Sequence, residues 1–239
     1  MIKPYNDNPS GKKEQVALMF NRIAKRYDFL NHFLSLGIDK LWRKKAIRQL
    51  QDYKNAIILD IATGTGDLAI TALKLKPAKI IGIDISEGML RKGVEKIKKK
   101  GLSDIIELKV GDSENLDFET GYFDAAMVAF GVRNFENLNR GLKEINRVLK
   151  SNGKLVVLEF SKPMHFPVKQ LYQFYFRFIL PNIGRIISKD QSAYTYLPES
   201  VDQFPQGKDF ILELEKAGFK NCGYKKLSFG ISSIYFGYK

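Results

Sequence analysis

The chain has 239 residues, of which 44% are hydrophobic and 27% are charged, enough apolar material for one α/β domain with additions. A single cysteine, Cys222, excludes an internal disulfide framework, and with only two histidines beside it we expect no metal site. The net charge of +13 suits solvated helix faces or an anionic membrane surface. No nucleic-acid-binding module is recognisable around the basic runs, so nucleic acid is not the expected partner.

The first 15 residues are polar and contain Pro, Asn and Gly, which predicts a flexible N-terminal arm (1–15) without a secretory signal. Apolar side chains at helical spacing follow, and we expect residues 16–54 to form a helical cover over the core. Aromatic and polar side chains alternate closely between residues 27 and 42. Tyr27 and Asn31 in this stretch are candidates for the wall of a substrate site.

The segment AIILDIATGTGD, residues 56–67, is an apolar strand that runs into a glycine-rich turn and then a helical pattern. This order is typical of a nucleotide-binding crevice at the carboxyl end of a parallel strand. Gly64 and Gly66 let a ligand approach the backbone, and their spacing also satisfies a loose dinucleotide fingerprint. The acid inside the strand, Asp60, is unfavourable beside a pyrophosphate but suits the cationic amino-acid end of S-adenosylmethionine, which is therefore the preferred cofactor.

Two further predicted strands end in acidic residues. The strand over residues 79–84 ends at Asp84, whose carboxylate can accept hydrogen bonds from both ribose hydroxyls of an adenosine. The strand over residues 105–110 is followed by Asp112 and Ser113, and an acid there can hold the adenine amino group. Three successive strand ends therefore predict an adenosine site.

A fourth strand, residues 122–130, leads into a short loop, and a fifth strand covers residues 154–160. Strands and helices alternate at the period of a doubly wound parallel sheet, in which loop 130–135 lies across the crevice from the glycine turn. The loop carries an arginine and an asparagine side by side, Arg133 and Asn134. Contact with a substrate best explains this pair at a strand end.

The region 162–205 departs from the alternation and is predicted to be an insertion on the substrate side. Residues 168–187 are rich in aromatic side chains, which suits a buried core, a subunit interface or an apolar wall for a lipid-like substrate. Asp190 and Tyr194 follow and can form hydrogen bonds with a substrate. A helix over 209–217 and a hairpin then complete a seven-stranded sheet in a single domain, residues 16–239.

Two long motifs are more specific than the glycine turn. The first is Tyr27-Asp28-x-x-Asn31 with Ser35-x-Gly37 and Trp42; the second is Arg147-Val148-Leu149-Lys150-x-x-Gly153-x-Leu155-x-x-Leu158-Glu159-x-Ser161. With the segments LDIATGTGD, DIS-x-x-ML, FG-x-RN and FSKP, they resemble the ubiquinone/menaquinone biosynthesis C-methyltransferase family from about residue 16 to the C-terminus. The departures are Leu30, Ser151-Asn152 and Ala129, the last at a position where a small polar residue often contacts the cofactor.

The resemblance implies a class I S-adenosylmethionine-dependent methyltransferase, with a mainly parallel seven-stranded sheet, N-terminal helices and an inserted helical lid. It carries cofactor contacts over to Thr65, Asp84, Asp112 and Ser113. It implies C-methylation of a polyprenylated quinol, with demethylmenaquinol preferred. We expect Arg133 to stabilise the phenolate and Asn134 to orient it or a water molecule; Asp190, Tyr194 and His165 are weaker candidates for a base.

Three alternatives remain open at this stage. The substrate can be the benzoquinol of ubiquinone biosynthesis, the basic charge allows an RNA methyltransferase, and a cofactor-binding subunit without turnover fits the same motifs. The expected partner is a lipid-soluble quinol. We expect a cytoplasmic protein in transient contact with the inner face of the cell membrane, and the aromatic segment allows a homodimer.

Overall fold

The computed structural model describes residues 2–5, 7–179 and 192–239, apart from the side chains of residues 30, 33, 34 and 177. Within these ranges, seven strands form one sheet in the order β3-β2-β1-β4-β5-β7-β6. The strands are Ile57–Ile61 (β1), Lys79–Asp84 (β2), Ile106–Val110 (β3), Phe123–Ala129 (β4), Leu149–Phe160 (β5), Lys220–Leu227 (β6) and Ser232–Tyr238 (β7). This is the predicted class I methyltransferase sheet, and most strand bounds agree with the sequence pattern within one residue.

The helices lie before, between and after the strands. They are Lys12–Ile23 (α1), Tyr27–Leu34 (α2), Ile38–Ile47 (α3), Asp67–Ala72 (α4), Glu87–Lys99 (α5), Leu138–Val148 (α6), Val168–Phe174 (α7), Ser192–Gln203 (α8) and Lys208–Lys216 (α9). A π-helical turn over Tyr175–Ile179 continues α7. Among the described residues, no helix is long and apolar enough to cross a membrane.

Strands β1 to β5 run parallel, and β7 inserts antiparallel between β5 and β6. Successive residues of each central strand point to opposite faces of the sheet. In β1, Ile58 packs with α3 and α4 on one face and Leu59 packs with α6 and α9 on the other. Both faces are therefore covered, which explains why the central strands are almost continuously apolar.

The N-terminal segment differs from its prediction, because regular structure begins at Lys12 and not after residue 15. Gln15 is fully buried, and its side-chain amide bonds the backbone of the preceding loop at Tyr5, Asn8 and Ser10. Lys12 is also buried, and its ammonium donates to the carbonyl oxygens of residues 133 and 135. The polar side chains from which a solvated arm was predicted instead form hydrogen bonds with buried backbone groups.

Candidate active site

A crevice opens at the carboxyl ends of β1, β2 and β4, where the strand order reverses. It is lined by Gly64 after β1, Asp84 at the end of β2, and Gly131 and Asn134 after β4. Strands β1 and β4 are direct neighbours in parallel register. The predicted position of loop 130–135, across from the glycine turn, is therefore confirmed.

Asp84 ties the glycine turn to the start of α5. One carboxylate oxygen, Oδ2, accepts the Gly64 amide at 2.8 Å, and Oδ1 accepts the Ser86 amide at 2.8 Å. Burial raises the pKa of Asp84 to about 6. The Ile85 amide also hydrogen-bonds this carboxylate. A carboxylate has about four acceptor sites, so capacity remains for a ribose hydroxyl.

Two buried oxygen atoms near the crevice have no hydrogen-bond partner within the described chain, Oδ1 of Asp60 and Oδ1 of Asn134. Asp60 is fully buried, and its other oxygen accepts the Thr63 hydroxyl at 2.6 Å. Burial raises the pKa of Asp60 to about 7. Asn134 lines the crevice, whereas Asp60 does not line it and adjoins Ile61, which does. An ammonium group offers three donors and no acceptor, so acceptors at this end of the crevice fit the amino-acid end of S-adenosylmethionine.

Asp112 and Ser113, predicted to hold the adenine, line the crevice beyond the end of β3. Helix α1 is fastened over this end because Lys13 Nζ lies 2.6 Å from Asp112 Oδ2. The enclosed space is only about 70 Å³, whereas ligand pockets usually measure roughly 300–1,000 Å³. The polar groups of the crevice fit the cofactor, although the space as it stands is smaller than a typical ligand pocket.

Thr65 and Gly66 were predicted to contact the cofactor, and neither lines the crevice. The Thr65 hydroxyl donates to Asp28 Oδ1 of α2 at 2.6 Å and accepts from Lys96 Nζ of α5 at 3.0 Å. A Cβ added to Gly66 would contact side chains of α5 and β3. Both residues of the glycine turn therefore pack against neighbouring helices, and Thr65 anchors α2.

Lys96 of α5 joins α2 to the glycine turn and to the start of α4. Its ammonium lies 2.5 Å from Asp28 and 2.9 Å from Asp67, at the start of α4. Partly exposed ion pairs contribute little to folding stability, but α2 carries Tyr27, which lines the crevice. We expect Lys96→Met to weaken S-adenosylmethionine binding by about threefold to tenfold, with little change in Tm. Calorimetric titration and thermal melting measure the two effects.

The matched control for this prediction is Lys92→Met on the same helix. Lys92 pairs at 2.9 Å with Glu95 on the exposed face of α5, away from α2. The control variant should bind the cofactor like the native protein. Equal affinities in the two variants would contradict the anchoring role of Lys96.

A larger cavity of about 630 Å³ lies beside the crevice, and its walls are mainly apolar and aromatic. Side chains from α1, α2, α3, α7, the π-helical turn and α8 line it. Phe20, Tyr27 and Phe130 line both this cavity and the crevice. The two spaces therefore meet at an aromatic boundary.

Arg133 lines the apolar cavity and is largely buried. Its Nη1 donates to Glu159 Oε1 at 2.8 Å and to the Phe130 carbonyl oxygen, while Nε donates to Ser200 Oγ at 3.3 Å. Glu159 is completely buried, and burial raises its pKa against the opposing effect of Arg133. Sequence reasoning missed this partner, although an acid near the end of an otherwise apolar strand was a visible signal.

Asn134 lies on the other side of the aromatic boundary. It lines the crevice, and it is not among the residues that line the apolar cavity. The two residues predicted to act together on one substrate ring therefore line two adjoining spaces, because adjacent residues of a tight turn project in different directions. Arg133 lines the apolar cavity and Asn134 lines the crevice.

The other predicted substrate residues have different outcomes. Tyr27, Asn31 and Tyr194 all line the apolar cavity, and Tyr27 is hydrogen-bonded to Asn31. Asp190 lies outside the described residues. His165 is exposed and lines neither space, so its position does not suit a base.

Comparison with known proteins gives close relatives over the whole chain. A demethylmenaquinone methyltransferase of Bacteroides fragilis is 49% identical over 98% of this chain and 96% of its own length. One of Porphyromonas gingivalis with the same name is 43% identical over 100% and 98%. A ubiquinone/menaquinone biosynthesis C-methyltransferase UbiE of Geotalea uraniireducens is 43% identical over 95% and 97%.

Solved structures with lower identity support the fold. A Thermotoga maritima S-adenosylmethionine-dependent methyltransferase matches with a TM-score of 0.64 at 21% identity, over 93% of this chain and 99% of that one. The [4+2]-cyclase SpnF matches with a TM-score of 0.69 at 16% identity, over 96% and 97%. A cyclase on the same fold illustrates that the fold alone does not decide the reaction.

The family model of the ubiE/COQ5 methyltransferases matches residues 9–239. The predicted enzyme class and its S-adenosylmethionine cofactor are thereby confirmed, in agreement with the class I sheet. The chain belongs to the ubiE/COQ5 methyltransferase family.

Proposed function

We propose that this protein methylates a ring carbon of a polyprenylated quinol, demethylmenaquinol, in respiratory quinone biosynthesis. The observation that carries the proposal is the apolar cavity of about 630 Å³ that meets the cofactor crevice at Phe20, Tyr27 and Phe130. Such a space suits an aromatic head group with a prenyl chain. Two relatives named demethylmenaquinone methyltransferase, at 49% and 43% identity, favour the naphthoquinol over the benzoquinol.

The chemistry needs an ionised quinol in a dry site. S-adenosylmethionine, when bound, supplies a methyl group on a positively charged sulfur. Attack by a ring carbon is assisted when the neighbouring hydroxyl is ionised, and a phenol has a pKa of roughly 10 in water. Because opposite charges disappear in the reaction, a cavity that excludes water favours it.

Two arginines line this cavity among the described residues, Arg43 and Arg133. Arg43 pairs with Asp39 of its own helix, whereas Arg133 follows β4 beside the cofactor crevice and is the one placed to favour the phenolate. The hydrogen bonds of its guanidinium to described residues use Nε and Nη1, and Nη2 makes none among them. The ion pair with Glu159 holds the guanidinium in one orientation. Arg133 therefore acts as a fixed donor to the substrate oxygen, and Asn134 with Asp60 binds the amino-acid end of the cofactor.

The function is tested with labelled S-adenosylmethionine and separate samples of demethylmenaquinol, the demethylated benzoquinol and total RNA. Label in the lipid extract with demethylmenaquinol supports the proposal. If only the benzoquinol is labelled, the substrate is the benzoquinol and not demethylmenaquinol. If only RNA is labelled, the quinol assignment is wrong. Cofactor binding without transfer to any sample favours a non-catalytic subunit.

Cofactor binding should depend on pH through Asp60. Its pKa of about 7 in the free protein means that the carboxylate, which accepts from an ammonium group, is lost by protonation below that pH. We expect the affinity for S-adenosylmethionine to be constant above about pH 8 and to fall by up to about tenfold per unit below pH 7. Calorimetric titrations from pH 8 downwards measure this change.

Asp60→Asn is the control for the pH dependence. An amide has nearly the same shape and does not titrate, so this variant should bind more weakly at pH 8 and lose the step near pH 7. Asp84, with a pKa of about 6, then accounts for any remaining step at lower pH. A native affinity that stays constant from pH 8 to pH 6 would contradict the role of Asp60.

Contact with a membrane surface accompanies this function, because a polyprenylated substrate resides in lipid. Three residues that line the apolar cavity are strongly exposed, Leu36 at 85%, Leu171 at 65% and Phe174 at 56%. The exposed cations Lys40 and Lys169 lie close to them in the sequence, and the whole chain carries +13. An apolar rim with basic neighbours suits an anionic lipid surface.

The membrane contact is tested by flotation with phosphatidylglycerol vesicles. Leu36→Ser/Phe174→Ser should lower binding about tenfold or more, because burying each large apolar side chain contributes roughly 1.5–3 kcal/mol. Leu212→Ser is the control, since Leu212 is 52% exposed and lines neither space. Equal flotation of the two variants would contradict this surface.

A further inference from the structure

One buried hydroxyl on the wall of the apolar cavity makes no hydrogen bond within the described part of the chain. Tyr196 of α8 is 2% exposed and lines the cavity, and its hydroxyl oxygen is buried without a hydrogen-bond partner in the described chain. A buried hydroxyl is normally paired, because leaving it unpaired carries a desolvation penalty. An unpaired hydroxyl on the wall of a substrate cavity is available to donate a hydrogen bond to a ligand.

The position of Tyr196 on α8 relates it to Arg133. Ser200 follows Tyr196 by four residues, so the two side chains lie on one face of the helix. Ser200 Oγ accepts from Arg133 Nε at 3.3 Å, which turns this face towards the guanidinium. The charge of Arg133 lowers the pKa of Tyr196, which agrees with that arrangement. Burial has the larger effect and raises this pKa to about 12, so the hydroxyl keeps its proton at neutral pH and can act as a donor.

We infer that the Tyr196 hydroxyl donates a hydrogen bond to the substrate oxygen that Arg133 also faces, the oxygen next to the reacting carbon. This inference rests on the proposed function and adds a second donor to it. Two donors that converge on one oxygen stabilise the phenolate more than the neutral hydroxyl, and so lower the pKa of the bound substrate. No proton leaves Tyr196 in this role.

The test compares Tyr196→Phe with the native enzyme. We expect kcat/KM for demethylmenaquinol to fall about tenfold and the acidic limb of its pH profile to move about one unit to higher pH. Tm should stay the same or rise, because the variant removes an unpaired buried hydroxyl. Tyr53→Phe is the control, since that hydroxyl bonds the Asn152 carbonyl oxygen at the surface and lines neither space.

A second measurement is independent of turnover. A nitronaphthol is a chromophoric phenol, and its ionisation when bound is followed by absorbance. The bound probe should ionise about one pH unit higher in Tyr196→Phe than in the native protein. Unchanged kcat/KM with an unchanged probe pKa would overturn the inference, as would lost activity accompanied by a lowered Tm.

The two measurements also separate this inference from the proposed function. If the native enzyme methylates no quinol, the proposed function fails, and the probe titration still decides the role of Tyr196 as a donor to a phenolic oxygen. If the native enzyme methylates demethylmenaquinol and Tyr196→Phe behaves like Tyr53→Phe, the function stands and the role of Tyr196 is rejected.

Discussion

Arg133→Met should reduce kcat/KM for demethylmenaquinol by about 100-fold to 1,000-fold, the usual effect of removing one donor to a developing oxyanion. The same change leaves Glu159 buried without its cation, and breaking a buried ion pair costs about 3–5 kcal/mol of unfolding free energy. Because the pKa of Glu159 is already raised, protonation of the unpaired acid offsets part of that cost. Steady-state kinetics and denaturant unfolding measure the two losses separately.

The double variant Arg133→Met/Glu159→Gln separates catalysis from stability. Glutamine keeps an acceptor for the Phe160 amide, which Glu159 Oε1 accepts at 2.9 Å, and it carries no buried charge. Most of the lost stability should return while kcat/KM stays low. Recovery of activity together with stability would show that Arg133 serves only to pair Glu159, and the catalytic assignment would then be wrong.

Asp84→Ala should weaken S-adenosylmethionine binding by about 100-fold or more. Two hydrogen bonds from ribose hydroxyls to a carboxylate contribute about 1.5–3 kcal/mol each. The change also frees the amides of Gly64 and Ser86, which Asp84 now holds, so a small decrease in Tm is expected as well. Asp104→Asn, an exposed acid that lines neither space, should bind normally.

An S-adenosylhomocysteine analogue without the ribose hydroxyls tests the cause of this loss. The native protein should bind the analogue much more weakly than S-adenosylhomocysteine, whereas Asp84→Ala should bind both equally. If the variant still distinguishes the two ligands, Asp84 acts only by shaping the glycine turn.

Site residues that lie at strand ends could be predicted from the sequence, whereas residues whose role depends on the direction of their side chain could not. Asp84 and the loop at 130–135 follow from strand order, because the carboxyl ends of neighbouring parallel strands meet at one edge. Thr65 lies in the same turn as Gly64, but its hydroxyl bonds Asp28. Spacing along the chain does not show which direction a turn residue faces.

The sequence by itself determined the seven-stranded sheet, the methyltransferase family and the acidic strand ends, because hydrophobic period, glycine turns and long motifs are local properties of the chain. Only the tertiary structure decided that Arg133 pairs with buried Glu159, that Asn134 lines the crevice, and that the Tyr196 hydroxyl has no hydrogen-bond partner among the described residues. Each of these facts joins elements far apart in sequence. Burial and pairing of such groups depend on how the helices close over the sheet, which no local pattern encodes.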